Sequence, residues 1–164
     1  MTAEGSEWER VQRFIGREAM LLDTRQWDKW LELYGADCEY WIPSWRSDGQ
    51  LVTDPHTELS LIYYPNRVGL EGRVFRIRTG KASSAAPSPR TAHVSQLVDL
   101  SVEDSLLRAR TNWTVSSVAE NRVTTHFGYS LYVLEARDAT LAIKSKTTVI
   151  ANDMIHEVLD FYNV

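Results

Sequence analysis

Leu107, Ala109, Thr111, Trp113 and Val115 occupy alternate positions, and Arg108, Arg110, Asn112 and Thr114 fall between them. A period of two belongs to a strand with one buried and one solvated face, because successive side chains point to opposite sides of a pleated sheet. The residues around this run divide the same way. Thr91 to Val102 alternates loosely and is closed by a turn at Glu103-Asp104-Ser105. A second turn at Ala119 to Arg122 leads into Thr124 to Leu134, where Gly128 marks a bulge or bend. Arg137 to Thr140 turns into Leu141 to Ala151, and Asn152-Asp153 separates that run from a short β segment over Val158 to Tyr162. The second half of the chain is therefore expected to be an antiparallel sheet of long strands, and everything before it must pack on that sheet.

The first half opens with a period near 3.6. Val11, Phe14, Ile15, Ala19 and Leu22 make an amphipathic helix from about Glu7 to Asp23, and Ser6 with Glu9 has the spacing of a capping box at its start. Trp27, Trp30, Leu31 and Tyr34 predict a second helix over Arg25 to Tyr34, with Gly35 in the C′ position. CEYWIP, from Cys38 to Pro43, reads as a strand, and Ser44 to His56 as a loop in which Trp45 needs a packing partner. Leu59 to Tyr64 is a β-rich run stopped by Pro65. Asn66 then caps a helix carrying Leu70, Val74 and Ile77 on one side, with Arg67, Arg73, Arg76 and Arg78 distributed along it. A small-residue and proline loop, Gly80 to Pro89, precedes the strand that begins near Arg90. Helices first and strands afterwards is the order of an α+β fold, here a single domain over residues 1–164 with the N-terminal helices filling the concave side of a strongly curved sheet.

Composition limits the function. A net charge of −4 is not the basic footprint of a nucleic-acid binder. No apolar run reaches the ~20 residues of a membrane span, and the acidic, amphipathic first residues do not resemble a secretory signal, so a cytoplasmic protein is expected. The one cysteine, Cys38, sits between Asp37 and Glu39 and is expected to be a buried small hydrophobe rather than a reactive thiol. His56, His93, His126 and His156 are widely spaced, and no pair has the i, i+3 or i, i+4 spacing that aims two imidazoles at one metal. Gly69 and Gly72 are spaced for helix contact, not for phosphate. His93, three residues after Arg90, is a candidate general base or a hydrogen-bonding interface residue. Asp37 is a candidate carboxylate inside the cone, or else a plain strand-edge residue. The arginines from Arg67 to Arg78 suit a carboxylate ligand or the acidic side chains of a partner.

The runs REAMLLDTRQWDKWLELYGADCEYWIP, ELSLIYYPNRVGLEGRVFRIRTG, SPRTAH and NDMIHEVLDFYNV together resemble the small (β) subunit of Rieske non-haem iron aromatic-ring-hydroxylating dioxygenases, of the benzoate, toluate and anthranilate type. The resemblance implies a cystatin-like cone, the architecture of scytalone dehydratase and ketosteroid isomerase. It also implies a large (α) subunit as partner, in an α3β3 assembly built on a β trimer. That subunit would carry the Rieske [2Fe–2S] cluster and the mononuclear Fe(II), with electrons from NADH through a reductase. This chain is then expected to hold no cofactor, no metal and no catalytic residue. Trp45, Arg67, Arg73, Arg76, Arg90 and His93 are its candidate interface residues. Two other readings stay open: a stand-alone isomerase or dehydratase using Asp37 or His93 as base, and a binding module in which the arginines grip an aromatic acid. An enzyme needs convergent polar groups around a substrate-sized pocket, whereas a scaffold should fill its cone with Trp, Tyr and Leu.

Overall fold

The computed structural model describes residues 3–81 and 89–164. Most of the loop predicted over Gly80 to Pro89 lies outside the described residues. The elements are α1 (Ala3–Asp23), α2 (Trp27–Leu31), β1 (Tyr34–Pro43), β2 (Ser60–Tyr64), α3 (Arg67–Arg78), β3 (Arg90–Glu103), β4 (Leu106–Ala119), β5 (Arg122–Arg137) and β6 (Thr140–Ile150). They form one six-stranded mixed sheet in the order β2-β1-β6-β5-β4-β3, curved around the N-terminal helices.

The predicted alternation on β4 is the register of the core. Leu107, Ala109, Thr111, Trp113 and Val115 are all buried, and the polar set between them is exposed. Both turns flanking β4 are two-residue hairpins, with Asp104 and Ser105 at φ 50° and 64° and Glu120 and Asn121 at φ 51° and 61°. Left-handed dihedrals at both central positions give a turn whose twist matches that of the strands. Shifts in register between Leu97 and Asp99 on β3, and between Val133 and Leu134 on β5, supply the local bends by which long strands curl. The β1–β6 pair is parallel, Tyr34 against Ile143 and Trp41 against Thr147.

α1 lays Val11, Phe14, Ile15, Leu21 and Leu22 into the concave side, and Trp30 of α2 stacks on Phe161 at a centroid distance of 4.3 Å. α3 is capped as its sequence predicts, the Asn66 side chain accepting from the Val68 N–H. Gly69 lets α3 approach β2, since a Cβ there would run into the Tyr64 ring, but Gly72 faces open space, so the pair does not form the helix contact expected of it. Cys38 is fully buried, and burial pushes its thiol up to about 11.

Several local expectations are corrected. α1 begins at Ala3, so Ser6 lies inside the helix instead of capping it. α2 stops at Leu31 and Gly35 is a residue of β1, because Tyr34 is drawn into the parallel ladder with β6. Gly128 lies in an unbroken stretch of pairing, and its role is close approach, not a bulge. Val158 to Tyr162 is not a strand. Asn163 folds back on it, accepting from the Asp160 N–H at 2.8 Å and donating to the Val158 carbonyl at 3.1 Å, which satisfies the backbone locally and removes the need for a ladder.

Candidate functional site

The interior of the cone is not purely apolar. Glu18 continues the stripe Val11, Ile15, Leu22 on α1 and is 2% exposed; Lys146 on β6 is 6% exposed and meets it. Lys146 Nζ donates to Glu18 Oε1 at 2.8 Å, the Tyr34 hydroxyl donates to the same oxygen at 2.5 Å, and the Tyr132 hydroxyl donates to Oε2 at 2.9 Å. The ammonium also lies 5.1 Å from the centre of the Tyr132 ring. Burial alone would raise the Glu18 carboxyl, but the Lys146 charge and three hydrogen bonds hold it below the usual range. Tyr34 and Tyr132 are pushed well above the ordinary phenol value, by burial first and then by the Glu18 charge.

One turn further along α1 lies a second pair. Asp23 accepts from the His93 backbone N–H at 3.0 Å, from the ring Nδ1–H at 2.5 Å and from the Thr91 hydroxyl at 2.8 Å. Against burial, these bonds hold the Asp23 carboxyl below its usual range. His93 therefore has the arrangement of a general base oriented by a carboxylate, its Nε2 turned away from Asp23. What it lacks is room. The cavity that Glu18, His93, Trp113, Tyr132 and Lys146 line has a volume of about 30 Å³, whereas small-molecule sites run to roughly 300 Å³ and above.

The candidates named from sequence are scattered. Asp37 is exposed on β1, outside the cone: it alternates with Cys38 and Tyr40, which take the inward positions. It therefore cannot serve as a base in the interior. Arg90 and His93 lie on opposite faces of β3, since three residues along a strand reverses the side; Arg90 is exposed and the His93 side chain faces the core. Trp45 is anchored by its Nε1, which donates to the Ile150 carbonyl at 2.7 Å, with part of its ring exposed. Arg67 binds Glu71 Oε1 at 2.8 Å and the Tyr34 carbonyl at 3.1 Å, and Arg76 is exposed in the last turn of α3.

Arg73 forks onto the buried carboxylate of Asp160, joining α3 to the C-terminal segment. Its loss acts on the fold. Arg73→Ala is expected to lower stability by about 2–4 kcal/mol, because it strands a buried carboxylate; a urea midpoint equal to wild type would refute the role.

Sequence reasoning missed Glu18, Asp23, Tyr132 and Lys146. The signal for Glu18 was present: residues 11, 15, 18 and 22 share one helix face, and an acid there needs a buried partner. It also missed the outer face of the sheet. Val94 on β3 and Phe127 and Leu131 on β5 are 69%, 48% and 44% exposed, joined across β4 by the pairings Val94–Thr114–Phe127 and Arg110–Leu131. Arg110 lies over the Tyr129 ring at 4.1 Å on the same face.

His93 is held by Asp23, and His126 Nδ1 is held against the Asn163 carbonyl at 2.9 Å. Among the described residues no three of His, Cys, Asp or Glu are grouped to hold a metal ion. The residues present do not fit a Rieske cluster or a mononuclear iron. No helix of the described residues is long and apolar enough to cross a membrane.

A curved six-stranded sheet wrapped on N-terminal helices, with apolar side chains displayed on its outer surface, is a cystatin-like cone. An NTF2-like protein of cystatin-like fold from Novosphingobium aromaticivorans has the same shape, with a TM-score of 0.61 over 93% of this chain and 88% of that one at 14% identity, a likeness of fold alone. Residues 17–157 match the family model described as ring hydroxylating beta subunit. The 2-halobenzoate 1,2-dioxygenase small subunit of Burkholderia cepacia is 41% identical over the full length of both chains. The crystal structure of the benzoate 1,2-dioxygenase β subunit of Burkholderia mallei is 37% identical, with a TM-score of 0.75 over 94% of this chain and 95% of that one. The chain belongs to the family of small (β) subunits of ring-hydroxylating dioxygenases.

Proposed function

We propose that this chain is the assembly subunit of the terminal oxygenase of a benzoate-type 1,2-dioxygenase, present as a trimer beneath three large subunits in an α3β3 complex. The large subunit carries the Rieske [2Fe–2S] cluster and the mononuclear Fe(II). It receives electrons from NADH through a reductase and converts a benzoate-like acid to its cis-dihydrodiol, in the cytoplasm. One observation carries this reading: the outer face of β3 to β5 exposes Val94, Phe127 and Leu131 together, whereas the cavity beside His93 has no room for a substrate. Contiguous apolar side chains on an outer surface mark a contact with another chain, and the aromatic and arginine pair Tyr129–Arg110 is of the residue types enriched in such contacts. Trp45, Arg67, Arg76 and Arg90 are assigned to the rim of subunit contacts.

The outer face has a direct test. Phe127→Glu with Leu131→Glu places two carboxylates from each copy in the trimer contact and is expected to give monomers in native mass spectrometry with an unchanged circular dichroism spectrum. A double variant that keeps the wild-type native mass would remove the outer face from the assembly.

A further inference from the structure

The cavity between α1 and the sheet is lined by two residues that each carry a buried nitrogen with no protein partner, Nε2 of His93 and Nε1 of Trp113. The two are opposite in hydrogen-bonding sense. The Asp23 carboxylate accepts the Nδ1–H of His93, so the neutral ring presents Nε2 as an acceptor; an indole N–H can only donate. Lys146, on the same wall, has three N–H donors, of which Glu18 takes one. A molecule satisfying these groups must donate to one and accept from the others. With the His93 ring neutral, the two carboxylates on α1, Glu18 and Asp23, outweigh the single charge of Lys146, so the site offers an anion little attraction. At about 30 Å³ the cavity admits no carbon skeleton, but it exceeds the ~10–15 Å³ that one water needs.

We infer that this cavity is a water-binding site, in which a water donates to His93 Nε2 and accepts from both Trp113 Nε1 and Lys146 Nζ. The water joins the Asp23–His93 hydrogen-bonded pair to the Lys146–Glu18 ion pair in one chain, from Asp23 through His93, the water and Lys146 to Glu18. Because both acids belong to α1, the chain ties the last two turns of that helix to β3, β4 and β6. His93 holds the water as a general base holds its nucleophile, but the cavity has no space for an electrophile, so the role is cohesive.

The test uses the whole chain. A high-resolution crystal structure is expected to show a density peak within about 3.2 Å of His93 Nε2, Trp113 Nε1 and Lys146 Nζ. Nitrogen-15 NMR of the wild type at neutral pH is expected to find the His93 proton on Nδ1, with Nε2 unprotonated. His93→Phe should abolish the peak. A dry cavity, a proton on Nε2, or density for a larger ligand would each overturn the inference. The tautomer is measured on wild type, so the test stands even if the variant fails to fold.

Discussion

Replacing Lys146 by Met is expected to destabilise the chain by about 3–5 kcal/mol, because it leaves Glu18 buried without its counter-charge. Methionine fills nearly the same volume, so packing contributes little to the loss. Acidity gives the effect a signature. In the wild type the Glu18 and Asp23 carboxyls are held below their ordinary range. Their contribution is therefore complete above the unfolded values near pH 4 and is lost as pH falls through and below that range. In the variant Glu18 is buried without a cation, its folded value rises, and the penalty grows as pH rises above about 4. The gap between the two proteins should thus be widest at neutral pH and narrow on acidification, read as urea midpoints across a pH series. Adding Glu18→Leu should return part of the stability; returning the rest also requires Tyr34→Phe and Tyr132→Phe, whose hydroxyls otherwise lose their acceptor. A Lys146→Met protein as stable as wild type at pH 7 would refute the account of the interior.

The second large effect is expected at Gly128. It pairs with Trp113 on one side and Ile150 on the other, and a Cβ built there would overlap the Val149 carbonyl oxygen, with the Val149 carbonyl carbon at 3.0 Å and Ala151 N at 3.2 Å. Those neighbours are backbone and cannot rotate away. Gly128→Ala must therefore push β5 and β6 apart where the Ile150 carbonyl anchors Trp45. The cost is expected to be about 3 kcal/mol, at the upper end of overpacking. In a domain of this size that lowers Tm by roughly 6–12 °C. Trp45 fluorescence should shift to the red as its Nε1 loses the carbonyl. Gly16→Ala is the matched control: on α1 nothing beyond the local helix backbone lies within 4 Å of the new Cβ, and helix propensity should add about 0.5–1 kcal/mol. A Gly128→Ala protein melting within a degree of wild type would show that the strands are not closely apposed there.

How much of this could be read from the chain follows from the range of each interaction. The β4 alternation and the Asn66 cap are local, and their residue types announce them. The parallel pairing of β1 with β6 joins segments about a hundred residues apart and leaves no local pattern. It also explains why Gly35, a good helix stop by type, ended up in a strand. Val158 to Tyr162 has the composition of a strand, but Asp160 and Asn163 spend their polar groups on a turn and on Arg73. On β5, Phe127 and Leu131 alternate with His126, Ser130, Tyr132 and Leu134, and the sequence does not say that the apolar Phe127 and Leu131 face outward while polar His126 and Ser130 face in. Glu18 was visible in its helical stripe, but its partner Lys146 lies 128 residues away. The family, by contrast, was legible throughout, because its motifs are spread along nearly the whole chain.

The central claim is that this subunit assembles the oxygenase and leaves the chemistry to its partner. Native mass spectrometry of the chain co-expressed with a Rieske-type large subunit, followed by the Phe127→Glu/Leu131→Glu variant of the same complex, tests it most directly. The account predicts a hexamer of three large and three small subunits for the wild type, and its disappearance in the variant while each subunit remains folded. A small subunit that stays alone under all conditions would contradict the account.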